Sequence, residues 1–416
     1  MTAGFALPPF NVIEAALRTT TERLARELAQ PAESAPQWND FEWLVARSVT
    51  ALQGIAGLLA TRLRWRGPDD WHRFLQDQHR HVTARNAQVA DSLASIEQLA
   101  LIDGLPFVPL KGSALLALGI HPPGERSMAD IDLLVRTEDG TRTARLLEKI
   151  GYRLLYAHSR HDVFTPSTPA GEAGFGENCN HPLNIEVHHA VAEVLPVRRV
   201  DITASIWPSA PHRGANAYPG RASLMRHLLL HSAADMHANS LRFIQLYDIA
   251  RLSQSMTLAD WSELIDVTRG KEAAWWTYPP LAMSARHFPG TIPDSIVAAA
   301  SSCCPPLLRH LAQRRTLYEV SLSNLRVVAF PGLEWARTPL ELLRFIKERA
   351  LPSAGALQEF EASAPARPMR NAIPWLGLSR GRRLLMWLFS KPPRVMTIAA
   401  VIAAQASIAS AAPEAS

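Results

Sequence analysis

The spacing of apolar residues changes twice along this chain, and these changes constrain its fold more than any other feature. Up to residue 104, apolar residues recur at helical spacing, as in the stretch FEWLVARSVTALQGIAGLLATRLRW. Over residues 105–206, the strand-like runs PFVPL, ADIDLLV and NIEVHH alternate with short helical segments. Over residues 221–350 helical spacing returns. We therefore expect a small unit of strands and helices between two helical regions.

The last part of the chain, residues 351–416, is rich in Pro, Arg and Ala and predicts a poorly defined basic tail. Its most apolar stretch is VMTIAAVIAAQASIASAA, from Val395 to Ala412. This stretch is short and interrupted by Gln405, whereas a membrane span needs about 20 apolar residues. We therefore expect a docked or frayed tail without membrane contact.

Charge and cysteine content narrow the class of protein. The 416 residues carry a net charge of +5, which suits a phosphate-bearing ligand and gives no strong nucleic-acid signal. The three cysteines form no CxxC pair, so neither a disulfide framework nor a structural zinc site is expected. The first 20 residues have no secretory-signal pattern. We expect a cytoplasmic protein.

Two aspartates lie at the head of an apolar strand. Asp130 and Asp132 are two residues apart, so they share one face of the strand, while Ile131 and Leu133 face a core. Two carboxylates on one face can hold a divalent ion, and Mg²⁺ is the expected ion because it prefers oxygen ligands beside substrate phosphates. Glu186, in the strand NIEVHH, is expected to supply a third carboxylate. The sequence thus predicts a site for Mg²⁺, with two ions expected.

A phosphate-binding loop is predicted just upstream. Lys111, Gly112 and Ser113 lie between a strand and a helix. Glycine permits close approach of a phosphate to the backbone, and a helix N-terminus favours an anion. Arg126 is a further cation, four residues before Asp130. We expect these four residues to bind the nucleotide phosphates.

These motifs in this order resemble the DNA polymerase β-like nucleotidyltransferase superfamily. More narrowly, LKGSALL, R-x3-DIDLLV, IEVHH, HLLLHSAADMH and DIARL resemble the uncharacterised nucleotidyltransferases, a bacterial family, over roughly Phe41 to Leu252. The resemblance implies an α+β polymerase β-like fold with helical regions on both sides. It also implies metal-binding and catalytic roles for Asp130, Asp132 and Glu186, and a nucleotide-phosphate loop at 112–113.

The resemblance implies a Mg²⁺-dependent enzyme. It would move a nucleoside monophosphate from a nucleoside triphosphate, with ATP the expected donor, to a hydroxyl of an acceptor. A small molecule, a peptide, a protein side chain and an RNA end all remain open as the acceptor, although no aromatic-basic patch favours RNA. This chain departs from the wider superfamily in two ways: Lys111 stands where an apolar residue is usual, and the spacing from Gly112 to Asp130 is longer.

The acceptor side is predicted from the helical region over 221–350. His227, His231 and Asp235 share one helical face, and His188 shares the strand face of Glu186. We expect these four residues on the acceptor side of the cleft. Asp248 and Arg251, three residues apart on the next helix, are expected to form a structural ion pair.

Two alternative functions remain open from the sequence. The first is a non-catalytic nucleotide-binding module with the same fold. The second, less favoured, is a metal phosphohydrolase that uses His161 and Asp162; such enzymes place this pair on a helix, and here the local sequence predicts a strand or loop.

Overall fold

The computed structural model describes residues 7–157, 161–168, 171, 174–269, 274–351 and 378–411. It is a mixed α/β structure, 58% helical, with one six-stranded mixed sheet flanked by helices. The expectation of a strand-containing unit between helical segments is therefore confirmed.

Four helices precede the first strand, and one short and one longer helix are inserted between strands. The remaining helices follow the sheet. In chain order the helices are α1 (Phe10–Ala29), α2 (Asp40–Gln53), α3 (Ala56–Arg62), α4 (Asp69–Asp103), α5 (Lys111–Ala117), α6 (Gly140–Lys149), α7 (Arg221–Ala238), α8 (Phe243–Ser253), α9 (Leu258–Arg269), α10 (Tyr278–His287), α11 (Asp294–Cys303), α12 (Pro306–Arg314), α13 (Leu317–Val320), α14 (Pro339–Ala350), α15 (Arg380–Phe389) and α16 (Val395–Ala411).

The six-stranded sheet has the order β3-β4-β5-β2-β1-β8, and a separate two-stranded sheet pairs β6 with β7. The central pair, β2 with β5, is parallel, whereas β4 with β5 and β1 with β2 are antiparallel. The strands are β1 (Pro106–Pro109), β2 (Asp130–Leu134), β3 (Tyr152–Ala157), β4 (His161–Pro166), β5 (Asn184–His188), β6 (Ala192–Val194), β7 (Arg199–Asp201) and β8 (Gly214–Ala215).

Two apolar cores hold the sheet. Ile131, Leu133 and Val135 pack with α4 and α6 in the smaller core, as the alternation in the sequence predicts. Leu134 and Val108 belong to the larger core, which also contains α1, α2, α7 and α8. Strands β1 and β2 are buried after their first residues, whereas the edge strand β3 is exposed from residue 153 to residue 157.

Helix ends near the cleft follow from local chemistry. Asn39 accepts a hydrogen bond from the Glu42 backbone N–H and Glu42 accepts one from the Asn39 backbone N–H, which caps α2. Gly54 ends α2 in the left-handed conformation, with φ of 66°. A Cβ at Gly54 would lie 2.6 Å from Nη2 of Arg242, so this glycine also makes room for a cleft arginine.

The C-terminal helix α16 packs against the N-terminal helices. Ile398 and Val401 are buried in the larger core, and the Thr397 hydroxyl donates to the Leu322 carbonyl over 2.7 Å. The apolar stretch of the tail is thus docked at these positions. Within the described residues, no single helix combines the length and apolar composition needed to cross a membrane; α2 and α3 together meet those two criteria across a 115° bend.

Candidate active site

Three carboxylates converge where β2 and β5 run side by side. The parallel register places Asp132 opposite Glu186 and Asp130 opposite Asn184, so all these side chains lie on one face of the sheet. All three carboxylates line one cleft with a volume of about 290 Å³. The pattern of two aspartates on one strand and a glutamate on its neighbour is therefore brought together by direct strand pairing.

Lys111 is the cation of this cluster. Its Nζ lies 2.8 Å from Oδ1 of Asp132, and its backbone has a positive φ of 46°. A non-glycine residue in the left-handed region costs on the order of 1–3 kcal/mol, and such strain is concentrated at functional sites. Here the strained residue is the first of α5, shortly after the end of β1, and its ammonium points toward Asp132 on β2.

Two histidines complete the cluster on the side of β4. Nε2 of His188 lies 2.9 Å from Oδ1 of Asp132 and 3.6 Å from Oε2 of Glu186. Nε2 of His161 lies 3.5 Å from the same Oε2 atom. His161 and His188 are cross-strand partners in the β4–β5 ladder, so they also share the face of Glu186.

The electrostatics of the cluster favour a bound cation. Burial, then the charges of Asp132 and Glu186, raises the pKa of Asp130 to about 7. Burial alone would raise the pKa of Asp132 too, but the Lys111 ammonium and the hydrogen bond from His188 outweigh it and hold that pKa well below its usual value. Three carboxylates therefore face one lysine, and Asp130 is the carboxylate least compensated by its neighbours.

This donor set fits a hard divalent ion. Carboxylate oxygens on adjacent strands are the ligands that Mg²⁺ takes together with waters and phosphate oxygens. Asp130, Asp132 and Glu186 are the residues that would hold it, and the convergence of these three carboxylates from paired strands in one cleft is the observation that supports this fit.

The opposite wall contains a second buried aspartate. Asp248, on α8, accepts from Nε of Arg126 at 3.0 Å and from Nη2 at 2.8 Å. Nε2 of His121 lies 2.8 Å from its Oδ1. His121 and Arg126 both lie in the segment between α5 and β2. The longer spacing from Gly112 to Asp130 thus contains both of these partners of Asp248. The expected pair of Asp248 with Arg251 is wrong, because Arg251 donates instead to the Ile120 carbonyl and to Gln254.

Gly112 lies against the Arg126 guanidinium. A Cβ at Gly112 would lie 2.3 Å from Nη1 of Arg126, so the absence of a side chain lets this arginine reach Asp248. Gly112, Lys111 and Arg126 all line the cleft. Ser113 is 1% exposed, and its backbone N–H donates to the Leu110 carbonyl. The structure thus places Ser113 behind the cleft wall rather than in it.

Helix α7 forms a third wall. His231 and Asp235 line the cleft, with His231 Nε2 3.6 Å from Asp235 Oδ2. Burial lowers the pKa of His231, so its imidazole is neutral near pH 7. His227 is turned away from these residues: it is 3% exposed and its Nδ1 lies 2.7 Å from the Tyr218 hydroxyl.

A family model described as uncharacterised nucleotidyltransferase matches residues 39–289, which is more than half of the 416-residue chain. The chain belongs to this family. No curated protein and no solved structure matches it. Membership in the nucleotidyltransferase family indicates a transferase of nucleotidyl groups, and the matched range contains the whole cleft together with α9 and α10.

Arg242 is a cleft residue that the sequence did not reveal. It precedes α8, and its Nε donates to the Leu52 carbonyl over 3.2 Å. Its guanidinium is 3.7 Å from Glu177 and is 32% exposed. Lys111 and Arg126 are each held by an aspartate, so Arg242 is the least neutralised of the three lysine and arginine side chains that line the cleft in the described residues. No motif marks it, because its position depends on Gly54 and Leu52, far away in the chain.

The phosphohydrolase alternative is not supported by the local structure. His161 and Asp162 are adjacent in strand β4, so their side chains point to opposite faces of the sheet. Asp162 lies 3.5 Å from His189, whereas His161 faces Glu186. The two side chains cannot bind one ion from these positions.

Proposed function

We propose that the protein is a Mg²⁺-dependent nucleotidyltransferase with a polymerase β-like fold. It moves a nucleoside monophosphate, with ATP the expected donor, to a hydroxyl of an acceptor. The observation that supports this is the register of β2 and β5, which sets Asp130, Asp132 and Glu186 on one face with more negative charge than Lys111 balances.

In this reaction the protein itself takes little part in the making and breaking of covalent bonds. The acceptor oxygen forms a bond to the α-phosphorus, the bond from that phosphorus to the bridging oxygen of the pyrophosphate breaks, and the hydroxyl proton leaves. Mg²⁺, when bound by Asp130 and Asp132, supplies charge stabilisation to the phosphate oxygens. Glu186 is the third carboxylate, which holds a second ion or accepts the hydroxyl proton. Lys111 holds Asp132 in place through its ion pair.

Arg242 is proposed as the cation for the terminal phosphates of the triphosphate. Its planar fork can donate two hydrogen bonds to one phosphate group, and its orientation is fixed in advance by Leu52 and by the space at Gly54. Arg126 donates to Asp248 through Nε and Nη2, and its Nη1 donates to the Ser127 carbonyl over 3.3 Å. Arg126 therefore shapes the cleft wall rather than donating freely to a phosphate.

The decisive experiment uses the purified full-length chain with Mg²⁺, each α-labelled nucleoside triphosphate and a cell extract as the source of acceptor. We expect label in an acceptor together with released pyrophosphate. Asp130→Asn should abolish both signals. Asp162→Asn is the matched control, because Asp162 lies in the same sheet on the opposite face. Nucleotide binding without pyrophosphate release in the unaltered protein would favour the non-catalytic binding module instead.

The acceptor is proposed to lie against α7. His231 and Asp235 line the cleft, and Gln245 donates to Asp235 over 2.7 Å, which fixes that carboxylate. His231→Ala should raise the KM for the acceptor about tenfold while leaving that for the triphosphate within about twofold. His227→Gln is the matched control on the same helix. Equal KM values for the acceptor in both variants would mean that this face of α7 has only a structural role.

A further inference from the structure

Two histidines and a glutamate on the sheet face form a cluster beside the three carboxylates. The ring centroids of His161 and His188 are 4.9 Å apart, and Nε2 of each ring faces the same Oε2 atom of Glu186. The ligand atoms of the three residues lie within 4.8 Å of one another. All three side chains are partly exposed, so an ion can reach them from solvent.

The distances have the size that a tetrahedral ion requires. With ligand bonds of about 2.0–2.1 Å, ligand atoms around such an ion are about 3.4 Å apart. The two nitrogen-to-oxygen distances are 3.5 and 3.6 Å. Both are longer than the range of about 2.7–3.2 Å typical of a good hydrogen bond.

The type of ligand separates this cluster from the Mg²⁺ site. Two imidazoles with one carboxylate suit zinc and similar first-row ions, and they form catalytic zinc sites that keep one position open. Mg²⁺ instead takes oxygen ligands. We propose that His161, His188 and Glu186 form a second metal site, which takes a zinc-type divalent ion beside the Asp130–Asp132 site. The pairing of this second site with a Mg²⁺ site rests on the proposed function. In that pairing Glu186 is a ligand of the second ion and does not accept the hydroxyl proton.

Occupancy of this site changes the partners of Asp132. Nε2 of His188 cannot donate a proton to Oδ1 of Asp132 and give its lone pair to an ion at the same time. Binding of the ion therefore breaks the 2.9 Å hydrogen bond and leaves Asp132 with Lys111 alone. Oδ1 of Asp132 then keeps its 2.8 Å contact with Lys111 and loses its second donor, so occupancy of one site changes the surroundings of a ligand of the other.

The test is direct metal binding to the full-length chain, prepared without a polyhistidine tag and stripped with a chelator. Zn²⁺ is titrated, and Co²⁺ serves as a coloured substitute that reports tetrahedral coordination. We expect one ion per chain, retained through gel filtration. His161→Ala and the more conservative His161→Gln should each weaken Zn²⁺ binding at least tenfold. His189→Ala is the matched control, because His189 follows His188 directly and contacts Asp162 instead.

The outcomes separate this proposal from the proposed function. Unchanged Zn²⁺ affinity in the folded His161→Gln protein would overturn it, as would an ion lost on gel filtration. Loss of Zn²⁺ binding in Asp130→Asn but not in His161→Gln would also overturn it, because the ion would then sit at the carboxylates. Absence of nucleotidyl transfer with the His161-dependent Zn²⁺ site intact would refute the proposed function and leave the metal site standing.

Discussion

Asp132 and Asp248 face each other across the cleft with the same kinds of partners. Each is buried, and each is held by one permanent cation and one histidine: Lys111 and His188 for Asp132, Arg126 and His121 for Asp248. They differ in their surroundings. Asp248 and Arg126 balance each other, whereas Asp132 shares its lysine with two further carboxylates. The same combination of one cation and one histidine thus forms a charge-balanced structural pair around Asp248. Around Asp132 it leaves a surplus of negative charge that favours a bound cation.

The difference teaches how a buried charge can be assigned a role. Burial would raise the pKa of Asp248, yet Arg126 and His121 hold it below the usual value, and the pair needs no ligand. Among the described residues Asp130 forms no ion pair of this kind, and burial together with the charges of Asp132 and Glu186 raises its pKa to about 7. Counting the charges around a carboxylate therefore separates a structural aspartate from a ligand more reliably than its burial does.

The largest expected effect comes from breaking the balanced pair. Asp248→Asn leaves the Arg126 guanidinium buried without a charge partner, so the free energy of unfolding should fall by about 3–5 kcal/mol. Chemical denaturation of the variant and the unaltered chain measures this. Asp91→Asn, at an exposed position on α4, is the control. If the free energy of unfolding falls by less than about 1 kcal/mol, the Asp248 cluster is not the charge-balanced structural pair that distinguishes it from the Asp132 cluster.

Asp130→Asn should have the opposite effect on stability. Without metal, the change removes a buried charge that faces two like charges. The free energy of unfolding of the variant should therefore rise by roughly 1–3 kcal/mol, and its melting temperature should rise with it. Thermal melts with and without Mg²⁺ measure this, and the ion should stabilise only the unaltered protein. A lower melting temperature for the metal-free variant would contradict the surplus of negative charge. The same variant should be inactive, as proposed above.

The pH dependence of stability should separate the two variants further. A raised pKa at Asp130 gives stability that is present below the unfolded pKa of about 3.9 and is lost as pH rises through about 7. The advantage of Asp130→Asn should therefore be large near pH 8 and small near pH 5. The lowered pKa of Asp248 gives stability present above about pH 3.9 and lost only on further acidification. The penalty of Asp248→Asn should therefore be constant from about pH 5 to 8. Parallel pH profiles for the two variants would remove the distinction.

The smallest expected effect concerns the arginine that belongs to neither aspartate. Arg242→Lys keeps the charge and loses the planar fork, so the KM for the triphosphate should rise about tenfold with little loss of stability. Steady-state kinetics over a range of triphosphate measure this. Arg221→Lys, at the exposed start of α7, is the matched control. An unchanged KM in Arg242→Lys would leave the phosphates without their proposed cation.

The sequence by itself determined the face on which Asp130, Asp132 and Glu186 lie, because side chains in a strand alternate with a period of two. It also predicted a strand-containing unit between helical segments, and it contains the motifs that identify the family. Those features are local or repeat along the chain, so they can be read without knowing what packs against what.

Only the tertiary structure decided which cation meets which carboxylate. Arg126 finds Asp248 at a separation of 122 residues, and Arg242 is oriented by Leu52 at a separation of 190. The sequence placed Arg126 near the metal end and paired Asp248 with Arg251, because it offers only near neighbours as partners. Ion pairs and hydrogen bonds form by proximity in space, and the contacts of α8 with the segment before β2 and with the end of α2 bring those groups within reach.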